Sequence, residues 1–205
     1  AALLMNIPIA HIHGGEITEG AVDEQIRHSI TKMSHLHFCA TELYRQRVIQ
    51  MGEESERVFN SGAPGIDNII NFNLLAKKEL EESLEWELSS KCALFTFHPA
   101  TLEKNEVTYD LDIILNILKT FSFNVLFTYA NADEGGKRIN KKIEQFCNMS
   151  SSKYKVVKSL GQLKYLSAMK NVDLIIGNSS SGIIEAASFQ KPVINIGDRQ
   201  KGRLR

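Results

Sequence analysis

Short apolar runs rich in β-branched and aromatic residues alternate along the chain with longer stretches whose apolar positions recur at helical spacing, and each run closes on a turn signal. The runs predict strands over residues 8–11, 36–40, 57–60, 93–97, 124–129, 155–158, 174–177 and 193–196. The stretches predict helices over 23–33, 42–51, 108–120, 137–147, 162–170 and 182–189. Strands separated by whole helices pair in parallel, because antiparallel neighbours would need only short hairpins. The expected class is therefore α/β with doubly wound parallel sheets. Residues 77–90 break the rhythm: they are polar, densely charged and hold the only tryptophan, Trp86. They read as a surface helix joining two sheets. Residues 1–89 are then the end of one Rossmann-like unit with its linker helix, and 90–205 most of a second.

The composition supports a folded chain and narrows its partners. Of 205 residues, 43% are hydrophobic and 23% charged, which excludes a disordered or low-complexity chain. Twenty-four basic residues balance twenty-four acidic ones, so the excess of cations that nucleic-acid binding calls for is missing, and an anion site must be local. No apolar run is long enough to cross a bilayer, and the opening residues lack the basic segment of a signal peptide. Cys39, Cys92 and Cys147 form no metal-binding or redox spacing, and they fit free buried thiols in a reducing cytoplasm. The first residue is not Met, and the chain is expected to be a piece of a longer protein.

In doubly wound sheets ligands bind beyond the carboxyl ends of the strands, so the residues following each run are the candidates for chemistry. Five of the six histidines fall in the first 37 residues, but their spacing matches no zinc signature and no metal site is expected. The first strand is followed by His13-Gly14-Gly15-Glu16 and then a helix opening on Asp23 and carrying Arg27. Glu16 and Asp23 suit acid–base work on a substrate held by Arg27; capping would equally account for Asp23. His98-Pro99 leaves an imidazole at the end of another strand. Two loops read as anion cradles: Asn131 and Asp133 lead through Gly135-Gly136 to Lys137, and Gly177-Asn178-Ser179-Ser180-Ser181-Gly182 opens the next helix. Free amides and hydroxyls at a helix start donate to phosphate, with help from the helix dipole. Glu185 follows on the same helix, where a carboxylate accepts from vicinal ribose hydroxyls. Arg199, Lys201 and Arg203 then read as a clamp on a diphosphate.

Together these segments resemble the hydrolysing UDP-N-acetylglucosamine 2-epimerases, across essentially the whole chain. The resemblance is carried by His11-Ile12-His13-Gly14-Gly15-Glu16, by Asp23-Glu24 with Ile26-Arg27-His28-Ser29-Ile30-Thr31-Lys32, by His98-Pro99, by Asn131 and Asp133, and by the run from Gly177 to Gln200. It implies a glycosyltransferase-B-like fold, of which this chain would hold an incomplete first domain, and a cytoplasmic homo-oligomer, dimer or tetramer. It implies conversion of UDP-N-acetylglucosamine to N-acetylmannosamine and UDP, through a glycal and without cofactor; the same reaction on UDP-N,N'-diacetylbacillosamine and a non-catalytic nucleotide-sugar-binding paralogue are the alternatives. Asp23, Glu16, His98, His13 and Arg27 would be catalytic. Asn131, Asp133, Lys137, Ser179, Ser180, Gly182, Glu185 and Arg199 would hold UDP. His13 stands where some relatives carry Glu, and either Glu16 or His13 would take over that carboxylate's part. This stretch alone is expected to be inactive.

Overall fold

A computed structural model describes residues 1–19, 21–88, 91–99, 107–132 and 135–204. The described strands form two parallel sheets. The first contains β1 (Ala10–Ile12), β2 (Leu36–Cys39) and β3 (Val58–Asn60) in that order. The second contains β4 (Cys92–Thr96), β5 (Asn124–Thr128), β6 (Tyr154–Val157), β7 (Leu174–Gly177) and β8 (Val193–Asn195), ordered β6-β5-β4-β7-β8. The helices are α1 (Asp23–Met33), α2 (Glu42–Gln50), α3 (Pro64–Asn71), α4 (Lys77–Leu84), α5 (Val107–Lys119), α6 (Gly136–Cys147), α7 (Gly161–Asn171) and α8 (Ser181–Ile184).

Every strand and helix predicted from the pattern is present, with four differences. β1 starts at Ala10 rather than at residue 8, because Pro8 has no amide to give and the Ile9 amide donates to His35 Nδ1 at 3.1 Å. α3 was not predicted; Pro64 occupies its first turn, where the missing N–H costs nothing. The helix over 182–189 divides into α8 and a 3-10 turn, Ala186–Phe189, leaving Glu185 at the junction. α4 is no free surface helix: Leu80 is fully buried and Leu84 nearly so, in a cluster with Leu94, Leu126 and Ile175 of the second sheet and Met169 of α7.

β4 is buried along its whole length, its odd and even positions going to opposite clusters. Ala93 and Phe95 meet α5 and α6 through Leu111, Ile139 and Phe146, while Leu94 meets α4 and α7. A strand covered on both faces has to read as a continuous apolar run, as this one does. In the first sheet His11, His37, Cys39 and Val58 are buried, while Ile12, Leu36 and Phe59 are exposed. The three cysteines are free and buried, and burial pushes their thiols up to about 11 for Cys39 and about 12 for Cys92 and Cys147. Among the described residues no helix is long and apolar enough to cross a membrane.

The strand order positions the site. From β4 the chain builds outward through β5 to β6, then returns to the other side of β4 for β7 and β8. The direction reverses between β4 and β7, and a crevice opens where two successive connections leave on opposite faces. His98 and Asn178 follow those two strands.

Candidate active site

Gly177 ends β7 at φ 141°, and a Cβ there would stand 1.8 Å from the Thr96 carbonyl oxygen, so only glycine lets the chain pass this close to β4. The next residue, Asn178, is buried and brackets His98: its Oδ1 accepts the His98 amide and its Nδ2 donates to the His98 carbonyl, each at 2.7 Å. Its own carbonyl accepts from Arg199 Nη1 at 3.1 Å and Gln200 Nε2 at 2.9 Å. One asparagine thus ties the loops after β4, β7 and β8 together. The His98 ring takes the Asn131 amide on Nδ1 at 3.0 Å, so the neutral imidazole carries its proton on Nε2.

A cleft of about 360 Å³ lies over these strand ends, with Thr96, His98, Thr128, Lys158, Tyr165 and Ser179 in its lining. Its hydroxyls are linked, Ser179 Oγ to Ser181 Oγ at 3.0 Å and Ser181 Oγ to Tyr165 OH at 2.5 Å. Ser180 stands at the N-cap of α8 without a side-chain capping bond, and Gly182 follows it on the helix. With four residues, α8 has little dipole, so any pull on an anion here comes from individual amides and hydroxyls. The corner between β6 and α7, with Lys158, Gln162 and Tyr165, escaped the sequence reasoning. Its one local signal is the Ser159-Leu160-Gly161 turn after the strand.

A second crevice, about 260 Å³, is lined by residues from both halves of the chain, among them His13, Glu16, Tyr44, Ile66, Ile183 and Arg203. Helix α8 faces both spaces, Ser181 toward the first and Ile183 and Ile184 toward the second. Glu16 is 4% exposed; its Oε1 lies 3.6 Å from His13 Nδ1 and its Oε2 2.8 Å from Arg203 Nη1. Burial pushes this carboxyl up, but the nearby His13 imidazole and the positive charge of Arg203 outweigh it and hold the group below its ordinary range. His13 itself has φ 65°, a left-handed conformation that a non-glycine residue adopts at a cost. Arg27 braces this loop from below, donating to the Glu16 carbonyl at 3.0 Å and to Thr18 Oγ1 at 3.2 Å.

Glu185 approaches from the second sheet. Its Oε2 is buried without a hydrogen-bond partner, and its Oε1 lies 3.2 Å from the point where a Cβ on Gly65 would sit, in the first turn of α3. Burial raises its pKa, against the attraction of His13 and Arg203. A carboxylate in this condition is poised to accept from a ligand.

The other candidates are less central. Asp23 is exposed at the start of α1 and does not cap it: Val22 is the N-cap, and Glu24 Oε2 takes the Thr18 amide at 2.8 Å. Asn131 and Lys137 are exposed, and neither lines these two spaces. Asp133 lies outside the described residues. The expected three-cation clamp is divided: Arg199 goes to Asn178, Lys201 pairs with Glu19 at 3.2 Å, and Arg203 pairs with Glu16. His11 and His37 face each other across β1 and β2, with His37 Nε2 3.3 Å from Glu53 Oε2, yet no group of three or more potential metal ligands occurs among the described residues.

Comparison with known proteins bears on this arrangement. A family model described as UDP-N-acetylglucosamine 2-epimerase matches residues 1–205. The chain is 50% identical over 204 residues to the GDP/UDP-N,N'-diacetylbacillosamine 2-epimerase (hydrolyzing) of Campylobacter jejuni, covering 99% of this chain and 53% of that protein. It is 36% identical over 205 residues to the UDP-N,N'-diacetylbacillosamine 2-epimerase (hydrolyzing) of Legionella pneumophila, covering 100% and 54%. Among solved structures, the UDP-GlcNAc 2-epimerase of Neisseria meningitidis bound to UDP-GlcNAc matches with a TM-score of 0.74 at 20% identity, over 97% of this chain and 55% of that one. That likeness establishes the glycosyltransferase-B-like fold. The chain spans about half the length of the curated relatives it matches.

Proposed function

This chain belongs to the UDP-N-acetylglucosamine 2-epimerase family, and from that premise we propose that it supplies the UDP-binding lobe and part of the sugar-facing wall of a hydrolysing UDP-sugar 2-epimerase. The observation that carries the reading is the second crevice, where the buried Glu16 carboxylate, beside the His13 imidazole that follows β1, meets Arg203 from the tail after β8, with the Glu185 carboxylate near enough to His13 and Arg203 to feel their charge. Such a meeting of acid–base groups with a nucleotide cradle suits a reaction that breaks a bond to a diphosphate at one sugar carbon and moves a proton at the next.

On this reading a base removes the proton from C2 of the sugar. The C1–O bond breaks with its electron pair going to UDP, and a C1=C2 glycal is left. Water then adds: its oxygen bonds to C1, and a proton reaches C2 from the opposite face, giving the 2-epimer as free sugar. Glu16, held ionised, and His13 are the acid–base groups nearest the sugar, with Asp23 and Arg27 on the adjoining helix. Glu185 accepts from the ribose hydroxyls. Ser179, Ser180 and the amides leading to Gly182 receive the diphosphate, and the Nε2–H of His98 is one further donor to its developing charge; Arg199 and Asn178 keep this loop in place. On the same reading Lys137, Asn131 and Asp133 add charge or hydrogen bonds to the bound UDP.

The name of the relative at 50% identity, a GDP/UDP-N,N'-diacetylbacillosamine 2-epimerase, favours a diacetylbacillosamine nucleotide as substrate; the family description favours UDP-N-acetylglucosamine, for which the product would be N-acetylmannosamine. Incubating the complete polypeptide that carries this chain with each sugar nucleotide in heavy water tests both. The expected result is release of UDP with deuterium at C2 of the freed 2-epimer from one of them. UDP release with no label at C2 would rule out the elimination, and UDP binding without turnover of either would leave a nucleotide-sugar-binding protein. Residues 1–205 alone are expected to bind UDP without turning over substrate.

A further inference from the structure

Glu16 is the most enclosed carboxylate in the second crevice, and its partner is contributed by the far end of the chain. Both side chains of the pair are at most 10% exposed, and the contact of 2.8 Å is direct. The tail that brings Arg203 there is fastened along its length to the first half of the molecule. The Glu19 amide donates to the Lys201 carbonyl at 2.9 Å, the Leu204 amide donates to Tyr44 OH at 3.4 Å, and a Cβ on Gly202 would stand 2.4 Å from Ile17 Cγ2. On the other side the Arg203 amide donates to the Gln200 carbonyl at 3.3 Å, and Gln200 is buried against the Asn178 carbonyl. A bonded path thus runs from the Glu16 carboxylate through the tail to the asparagine that brackets His98.

We propose that Arg203 is the positioning residue of the active site: it orients the Glu16 carboxylate beside His13 and registers the acid–base wall of the first sheet against the nucleotide loops of the second. The proposal rests on the reading above, that Glu16 serves the sugar. The charged groups around Glu16 are His13 on its own loop, Arg27 from α1, Arg203 from the tail and, beyond them, Glu185 at the end of α8. Removing Arg203 leaves the buried carboxylate with His13 and a guanidinium bonded to its carbonyl rather than to its carboxylate. Its proton affinity then rises, since an opposite charge at this range accounts for about one to three pH units.

The test compares Arg203→Gln, Arg203→Lys, Glu16→Gln and the Glu16→Gln/Arg203→Gln double variant in the complete polypeptide. In Arg203→Gln the acid limb of the pH–kcat/KM profile is expected to move up by about one pH unit or more. kcat is expected to fall about a hundredfold or more, with KM changed far less, as for loss of a positioned acid–base group. Arg203→Lys brings the limb back, because it restores the charge, though with lower kcat for want of the planar fork. The double variant is no slower than Glu16→Gln. An unshifted limb in Arg203→Gln, or additive losses in the double variant, would overturn the proposal. If the unaltered protein turns over no UDP-sugar, the epimerase reading fails by itself, and the coupling is read from thermal melting instead. The melting difference between the parent and Arg203→Gln must then shrink as pH falls through the Glu16 titration and disappear in the Glu16→Gln background. A difference that persists there refutes the pairing.

Discussion

Asn178→Ala removes one side chain and leaves the backbone path through its carbonyl intact, so it isolates what the bracket around His98 contributes. Two hydrogen bonds of 2.7 Å are lost, one to the His98 amide and one to its carbonyl. A net bond of this kind contributes about 1 kcal/mol, and a buried group left unpaired costs about 1–3 kcal/mol more. Asn178 is 3% exposed, so water enters with difficulty, and the expected loss is about 2–4 kcal/mol. For a chain of this size that corresponds to a fall of very roughly 5–15 °C in melting temperature. Asn178→Asp keeps the acceptor for the His98 amide but sets a carboxylate oxygen against the His98 carbonyl, so it should be no better than alanine. Urea unfolding followed by Trp86 reports this directly, since the only tryptophan packs against the core of the second sheet. UDP affinity measured by calorimetry should fall in both variants, because His98 and the serine loop lose their common anchor. If Asn178→Ala unfolds within about 0.5 kcal/mol of the parent, the range of an ordinary surface change, and binds UDP equally well, the hub has been misassigned.

Gly177→Ala should be far more severe, because its Cβ would lie 1.8 Å from the Thr96 carbonyl oxygen and neither β-strand can yield; loss of soluble protein is expected, and a variant melting within a few degrees of the parent would contradict the close approach. Gly65→Ala meets Glu185 Oε1 at 3.2 Å, a mobile carboxylate tip, so its melting temperature should hold while UDP affinity drops about tenfold, equivalent to roughly 1.4 kcal/mol; unchanged affinity by calorimetry would remove Glu185 from the ribose contacts. Burial, reinforced by the charges of His37 and Arg27, lowers the His11 pKa from 6.5 to about 4. The unfolded chain therefore binds that proton first, so the contribution to stability is complete above pH 6.5 and is lost as pH falls toward 4. In His11→Asn the urea midpoint should vary less with pH across that window, and an identical pH slope would show that His11 is not its source.

The sheets were legible because their strands leave a local mark. A strand buried on both faces, such as Cys92–Thr96, has no polar position at all, and the helices between strands carry the period that excludes hairpins. What stayed hidden is pairing between distant segments. Leu80 and Leu84 keep the four-residue spacing of one helix face, but the charged outer face dominates the composition of that helix and nothing in the local pattern says that β4 is what they pack against. Asn178 stood inside a motif whose serines drew the attention, and its task became visible only when the return of the chain placed β7 beside β4.

The cations of the last loop show the same limit in chemical terms. Spacing put Arg199, Lys201 and Arg203 within one glycine-bounded segment, and charge alone made a diphosphate clamp the natural reading. A cation, however, goes where the nearest desolvated anion is. Glu16 stands out in the sequence as a candidate carboxylate from its glycines, but burial makes an unpaired carboxylate costly, and the fold offsets that cost with a counter-charge from an element within reach. Arg203 meets that need from the tail after β8, leaving amides, hydroxyls, His98 and Lys158 as the donors around the first cleft. The demand for a partner was thus implicit in the buried glutamate, while its supplier was decided by the fold.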